Sequence, residues 1–176
     1  MTITKTILDL GTQPLVNNLC NSREEAMAAE QFPLKAVVEK DLTIHLDYAV
    51  DPEILYKHYL YRSGVSQPYI DHCEKLYKSL CHLNLSTVID IGGNDGTLLN
   101  AFRKTSTEYE IWSGIKPKRF INVDMGHNLR EVNEAVGNEF VCGQFDEAMD
   151  LPKANLIVST NVFQHTKDIH AFMRGI

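Results

Sequence analysis

No two of the four cysteines, Cys20, Cys73, Cys81 and Cys142, are spaced as CxxC. Their spacings fit neither a zinc site nor a small disulfide framework, so four separate thiols are expected. His72-Cys73 and Cys81-His82 mirror each other but fall on one expected helix, too far apart to share a metal. No apolar run is long enough to span a bilayer, and the opening MTITKTILDLGTQP lacks the apolar core of a signal peptide. A cytoplasmic protein with no membrane partner is expected. Positive charge is also in short supply: 17 Lys and Arg against 23 Asp and Glu give a net charge of −6, and the basic residues are scattered. A nucleic-acid backbone is thereby disfavoured as a partner, whereas a nucleotide-bearing small molecule is not. Internal repeats and low-complexity segments are absent as well.

What is present is ordinary for a globular chain that can bury a core: 176 residues, 44% hydrophobic and 23% charged. The chain divides into two unequal parts. Residues 1–85 read as a small, mainly helical region with short strand signals near Lys35–Val38 and Leu42–Leu46. SREEAMAAEQF has Ser22 as N-cap and Glu25 three residues on, a capping box. DPEILYKHYLY starts with Asp51 as N-cap and Pro52 at the first helical position. SQPYIDHCEKLYKSLCHL places Ile70, Cys73, Leu76, Tyr77 and Leu80 on one helical stripe.

Residues 86–176 alternate strand and helix: TVIDI, GTLLNAFRKT, RFINVD, NLREVNEAV, EFVCG, a short helical turn at DEAMD, ANLIVST, and TKDIHAFMRGI. The pattern predicts an α/β fold with a parallel sheet. STEYEIWSGIKPK, longer than a usual helix-to-strand link, reads as a surface excursion.

In such sheets ligands bind at the carboxyl ends of the strands. The first strand of this part runs into Asp90-Ile91-Gly92-Gly93-Asn94-Asp95-Gly96. A pyrophosphate fingerprint from Gly92 would need glycine where Asn94 stands, and a P-loop would need Gly-Lys-Ser/Thr where Gly96-Thr97-Leu98 stands. The spacing D-x-G-x-x-x-G suits a nucleoside with a cationic methionine tail and no phosphates, S-adenosylmethionine. Glycines let the backbone approach, and Asp90 orients the tail. Asp124, ending the second strand beside Met125, is placed to accept ribose hydroxyls. The rival reading is a tight glycine turn with no ligand.

These residues bring a family into view. The chain resembles the S-adenosylmethionine-dependent C-methyltransferases acting on nucleotide-linked deoxysugars, members of the class I methyltransferases. LDLGTQPLVNNL is similar to their N-terminal LG-x-QP-L-x-N motif. FPL, VDPEILYKHYLYRSGVS, VIDIGGNDGTLL and NVFQHTKDIHAFMRGI resemble further family stretches in the same order. The resemblance implies a Rossmann-like sheet in the order 3-2-1-4, with S-adenosylmethionine as cofactor and S-adenosylhomocysteine as product. It implies that Asp90, Gly92, Gly93, Asn94, Gly96 and Leu98 line the cofactor loop and that Asp124 holds the ribose. Gln144 and Phe145 would wall the adenine. Asn161 and His165 would stand where donor and acceptor meet, and Tyr59, Tyr61, Ser63 and Ser66 in YLYRSGVS would fold over the cofactor.

Each has a plainer rival. Tyr56 and Tyr59 lie at helical spacing and could pack in a core, and His165 could cap or face solvent. Asp146 and Asp150 read as surface acids. His165 and Tyr61 are the candidates for acid–base work.

Two departures from the family pattern carry expectations of their own. Family members open with a cysteine pair and carry a second pair, which together bind a structural zinc. Here the chain starts directly at TILDLG, and VVEKDLTIHLD replaces the second pair, so no metal is expected. The sequence also stops at Ile176, after the fourth strand, where the resemblance calls for three more strands and a substrate domain. That strand is expected to be an apolar edge: either the chain is a natural truncation covered by a second copy or a partner chain, or it is a fragment of something longer. Two functions stand side by side: methyl transfer to a carbon of a nucleotide-sugar-like small molecule, or a cofactor-binding module without catalysis. A nicotinamide oxidoreductase would need the pyrophosphate loop that is lacking here.

Overall fold

The computed structural model describes residues 5–16, 18–56, 59–83, 85–113 and 119–176, with 108–113 by backbone alone. The chain forms two compact units, Met1–Tyr61 and Arg62–Ile176.

The first unit carries a three-stranded sheet beside its short helices; the strand at its start is the one the sequence did not signal. β1 (Lys5–Pro14), β2 (Gln31–Val38) and β3 (Ile44–Leu46) form an antiparallel sheet in the order β1-β2-β3. LDLGTQP hides its strand because the β1–β2 register shifts between Thr6 and Leu8 and again between Asp9 and Thr12. At the second irregularity Gly11 takes φ +68° and its N–H donates to Asp9 Oδ1 at 2.9 Å. A local turn signal therefore sits inside a strand, a bulge that a period-two search misses. Ser22 caps its helix as expected, with Glu25 N–H donating to Ser22 Oγ, while Glu25 Oε2 accepts from Asn21 N–H, one residue before the cap. Its helix, α1 (Arg23–Ala28), is only six residues long before β2 takes over the chain. α2 (Pro52–Tyr56) follows Asp51 as expected; the rest of that stretch includes 57–58, outside the described residues.

The second unit begins with a 3-10 turn at Ser63–Val65 and α3 (Gln67–Leu80), which the sequence grouped with the N-terminal part. β4 (Thr87–Ile91), α4 (Thr97–Ser113), β5 (Arg119–Asp124), α5 (Arg130–Ala135), β6 (Glu139–Cys142), β7 (Leu156–Val158) and α6 (Ile169–Gly175) complete it. The four strands are parallel, as the alternation called for, and their order β6-β5-β4-β7 is the Rossmann-like 3-2-1-4 arrangement that the resemblance implied. The residues after Thr105 are a correction: α4 continues through Ser113 where an excursion was expected. Ser106 Oγ and Thr107 Oγ1 both donate back to Arg103 O, so these hydroxyls join the helix instead of ending it. Residues 114–118 of that stretch lie outside the described residues.

Strands buried on both faces explain the continuous apolar runs of β4 and β5. On one face Val88 and Phe120 pack with Cys73 and Tyr77 of α3 and with Leu98, Leu99 and Phe102 of α4. On the other, Ile89, Ile91, Ile121 and Val123 pack with Phe145 and Phe172. At about 25 cal/mol per Å² of apolar surface, such side chains each contribute on the order of 2 kcal/mol when fully buried. Among the described residues no helix is long and apolar enough to cross a membrane.

Candidate functional site

Side-chain alternation along β4 and β5 has one consequence that apolar patterning conceals. Asp90 and Asn122 are register partners, and both are buried, at 1% and 0% exposure. They fall on the face that carries Val88 and Phe120 and end it with polar groups under the β4–α4 turn. Neither carboxylate oxygen of Asp90, nor Asn122 Oδ1, has a hydrogen-bond partner among the described residues. Burial, with the nearby charge of Asp124 adding to it, pushes the Asp90 carboxyl up to about 8. A buried acceptor left without a donor is costly, and a carboxylate more so, unless a donor or a cation arrives.

The turn above them is shaped by close approach. A Cβ on Gly93 would lie 2.6 Å from Asn122 Oδ1 and 2.7 Å from Asp90 Oδ2. One on Gly92 would meet Val162 Cγ2 at 2.2 Å. Gly96, at φ +77°, would place a Cβ 2.3 Å from Asn133 Oδ1 and 2.6 Å from Asn138 Nδ2. The protein's own side chains therefore account for the glycines, whose spacing had suggested approach to a ligand. Asn94, in the position of a second fingerprint glycine, takes φ +51°. Asparagine tolerates that left-handed geometry better than most residues.

Asp124 closes the other side. Its Oδ2 accepts from Asn94 N–H at 2.9 Å and its Oδ1 from Gly126 N–H at 2.9 Å. Burial raises its carboxyl above the usual range, and the backbone donors of Gly126, Asn94 and Met125 oppose that rise. A carboxylate has about four lone-pair sites, so these backbone bonds still leave capacity for a hydroxyl. Asp95 organises the start of α4: its Oδ1 accepts from Thr97 Oγ1 and N–H, and its Oδ2 accepts from Gly64 N–H at 3.0 Å. That last bond brings the turn containing Ser63, and next to it Ser66, against the loop.

The remaining expected residues are placed as follows. Leu98 is buried in the core between α3 and the sheet. Met125 follows Asp124 and is half-buried. Gln144 is exposed, while Phe145 is buried, its ring edge-on to Phe172 at 5.0 Å between centroids. Asn161 lies beyond the carboxyl end of β7 at φ +59°, and His165 ends the following 3-10 turn, exposed, with its N–H donating to Val162 O. Thus the loop, Asp90, Asp124, Ser63, Ser66, Asn161 and His165 all lie in the second unit, at or near the carboxyl ends of its strands. Tyr59 and Tyr61 belong to the first unit, where their rings meet edge-on at 6.4 Å and Tyr56 meets Tyr59 at 5.6 Å. Among the described residues no group of three or more His, Cys, Asp and Glu is gathered as for a metal.

Sequence reasoning missed Asn122, Asn133, Asn138 and Tyr69. Asn122 had a signal, a lone amide inside the apolar strand RFINVD. Tyr69, read as part of a helical stretch, bonds Thr160 Oγ1 through its hydroxyl at 3.1 Å, just past β7. Burial pushes its phenol up to about 12, which makes it a hydrogen-bonding group and not a base.

The donor set fits S-adenosylmethionine. A buried carboxylate without partners suits a cationic tail, and Asp124 at the next strand end suits a ribose. No family model matches the chain. The C-methyltransferase NovU of Streptomyces niveus is 29% identical over 178 residues, covering 97% of this chain and 40% of that protein. The chain thus spans well under half the length of that curated relative. Among solved structures, the YcgJ protein from Bacillus subtilis overlays with a TM-score of 0.45 at 22% identity, over 60% of this chain and 44% of that one.

Proposed function

We propose that the β4–α4 loop binds S-adenosylmethionine and that the chain takes part in methyl transfer to a carbon of a nucleotide-sugar-like small molecule. The observation that carries the reading is Asp90, a buried acid at the end of the first parallel strand with neither oxygen partnered among the described residues. Likeness to a C-methyltransferase along 97% of the chain supports it.

When bound, the cofactor supplies an electrophilic methyl group on its sulfonium. Asp90 holds the ammonium of the methionine tail, and binding it draws the carboxyl to its ionised form. Asp124 accepts the ribose hydroxyls while its backbone bonds keep it oriented. Ser63 and Ser66, docked through Gly64 and Asp95, cover the tail side. Gln144 and Met125 flank the adenine, and Phe145 fixes the backbone beneath it by packing on Phe172. Asn161 and His165 stand beyond β7, where an acceptor meets the donor. His165 takes the proton beside the acceptor's carbonyl.

Calorimetric titration with S-adenosylmethionine and S-adenosylhomocysteine tests the binding half. Saturable binding that Asp90→Asn weakens at least tenfold supports the reading, and no binding by folded protein overturns it. Transfer of labelled methyl to a panel of sugar nucleotides tests the other half. Binding without transfer would leave a cofactor-binding module.

A further inference from the structure

We infer that Asn122 and Asn133 are positioning residues of the cofactor loop, acting on the ligand through Asn94 and Asp124. The inference rests on the reading of that loop as the S-adenosylmethionine site.

Asn94 is the pivot of the turn, held in a left-handed conformation that an ordinary residue adopts only under constraint. The constraint is visible on both sides of its backbone. Its carbonyl accepts from Asn122 Nδ2 at 2.8 Å and from Asn133 Nδ2 at 2.9 Å. Its N–H donates to Asp124 Oδ2 at 2.9 Å. One donor comes from the middle of β5 and the other from α5, and both side chains are fully buried. Two amides on one carbonyl satisfy both of its lone pairs and fix the peptide plane, which a single donor would leave free to tilt.

The pair is itself braced. Asn133 Oδ1 accepts from Asn122 Nδ2 at 2.7 Å and from Asn138 Nδ2 at 3.3 Å, while Asn133 Nδ2 also donates to Leu129 O at 2.9 Å. Arg103 Nη2 donates to Asn138 Oδ1 at 2.7 Å, tying the cluster to α4. Asparagine suits this position because one short side chain offers both donor and acceptor, so each member can hold the next. The close approach of Asn133 to Gly96 belongs to the same arrangement: the missing side chain admits the amide that holds the turn.

The run Asn133–Asn94–Asp124 therefore links α5 to the acid read as holding the ribose. Losing the Asn133 donor frees one lone pair of the Asn94 carbonyl, lets the turn tilt, and moves the N–H that orients Asp124. A side chain with no exposed surface would in this way set cofactor affinity.

The test compares Asn133→Ala and Asn133→Asp with wild type by calorimetry against S-adenosylhomocysteine, alongside thermal unfolding and with Val132→Ala as a control on the same helix. Both variants are expected to bind at least tenfold more weakly at pH 8 at temperatures where they are fully folded. Asn133→Asp should regain affinity relative to wild type as pH falls, since a protonated carboxyl restores a donor to the Asn94 carbonyl. A residue that merely supports the fold would lower the unfolding temperature without that recovery. Folded variants binding within twofold of wild type would overturn the inference. If neither variant folds, the Asn122 and Asn133 side-chain amide resonances of the wild-type protein decide: they must shift on adding the ligand, and unchanged signals overturn the inference. Failure of the wild type itself to bind would instead sink the reading of the loop.

Discussion

Asp90 and Asn122 sit side by side in register on neighbouring parallel strands, and both carry acceptor atoms unpartnered among the described residues beneath the same glycine turn. Polar groups that could have been apolar, buried at the ligand end of the sheet, are a local breach of packing rules. Breaches of that kind concentrate at functional sites.

The pH dependence follows from Asp90. Its folded-state carboxyl is pushed up to about 8, above the ordinary carboxylate range. Between pH 4 and pH 8 the folded state holds a proton that the unfolded state has lost, so stability falls as pH rises through that window. Asp90→Asn removes this loss. Thermal unfolding should show the variant more stable than wild type at pH 8, by roughly 1–3 kcal/mol, with the advantage gone near pH 4. The same variant should lose cofactor binding, and an equal loss of stability at both pH values would contradict the assignment.

Ligand binding should release a proton for the same reason. Below pH 8 a cationic tail must ionise Asp90 to pair with it, so affinity rises with pH and levels off above about 8. Calorimetry in buffers of different ionisation enthalpy measures the released proton. The part of the pH slope due to Asp90 disappears in Asp90→Asn.

At the turn, Gly96→Ala and Asn94→Gly separate backbone from contact. Alanine at Gly96 meets both a left-handed φ and the Asn133 oxygen, costs of about 1–2 and about 1–3 kcal/mol. Glycine at Asn94 accepts φ +51° without strain and keeps the carbonyl, while losing the bond from Asp95 N–H to Asn94 Oδ1. Denaturant unfolding should place Asn94→Gly within about 1 kcal/mol of wild type and Gly96→Ala well below it.

Cysteine reactivity should divide sharply. Cys73 has no exposed surface, and burial raises its thiol to about 11, whereas Cys20 is exposed. With iodoacetamide at pH 8, mass mapping should find Cys20 modified early and Cys73 only on unfolding. Early labelling of Cys73 would mean that α3 does not pack on the sheet as described.

Tyr69→Phe tests the bond across to β7. It removes the hydroxyl that meets Thr160 and should cost about 1 kcal/mol of stability, read by denaturant unfolding. Cofactor affinity should change little, because neither atom belongs to the loop.

The second unit was legible because its signals are local. Apolar runs in β4 and β5 mark strands covered on both faces, the alternation with helices implies parallel pairing, and acids at strand ends mark the ligand side. The first unit was not, because β1 is defined by its partner. Gly11 and its Asx turn interrupt the period-two pattern, and only pairing with β2 across a register shift makes the segment a strand. Ser106 and Thr107 misled in the same way, since whether a hydroxyl ends a helix depends on whether Arg103 O is within its reach.

For the site, sequence alone determined the strand–turn–helix, the acids at 90 and 124 and the absence of a phosphate-type loop, since these depend on residue type and spacing. Tertiary structure decided what the glycines are for. Gly93 and Gly96 make room for Asn122, Asp90 and Asn133, residues brought together from two strands and a helix by parallel register, a long-range contact that no local window contains.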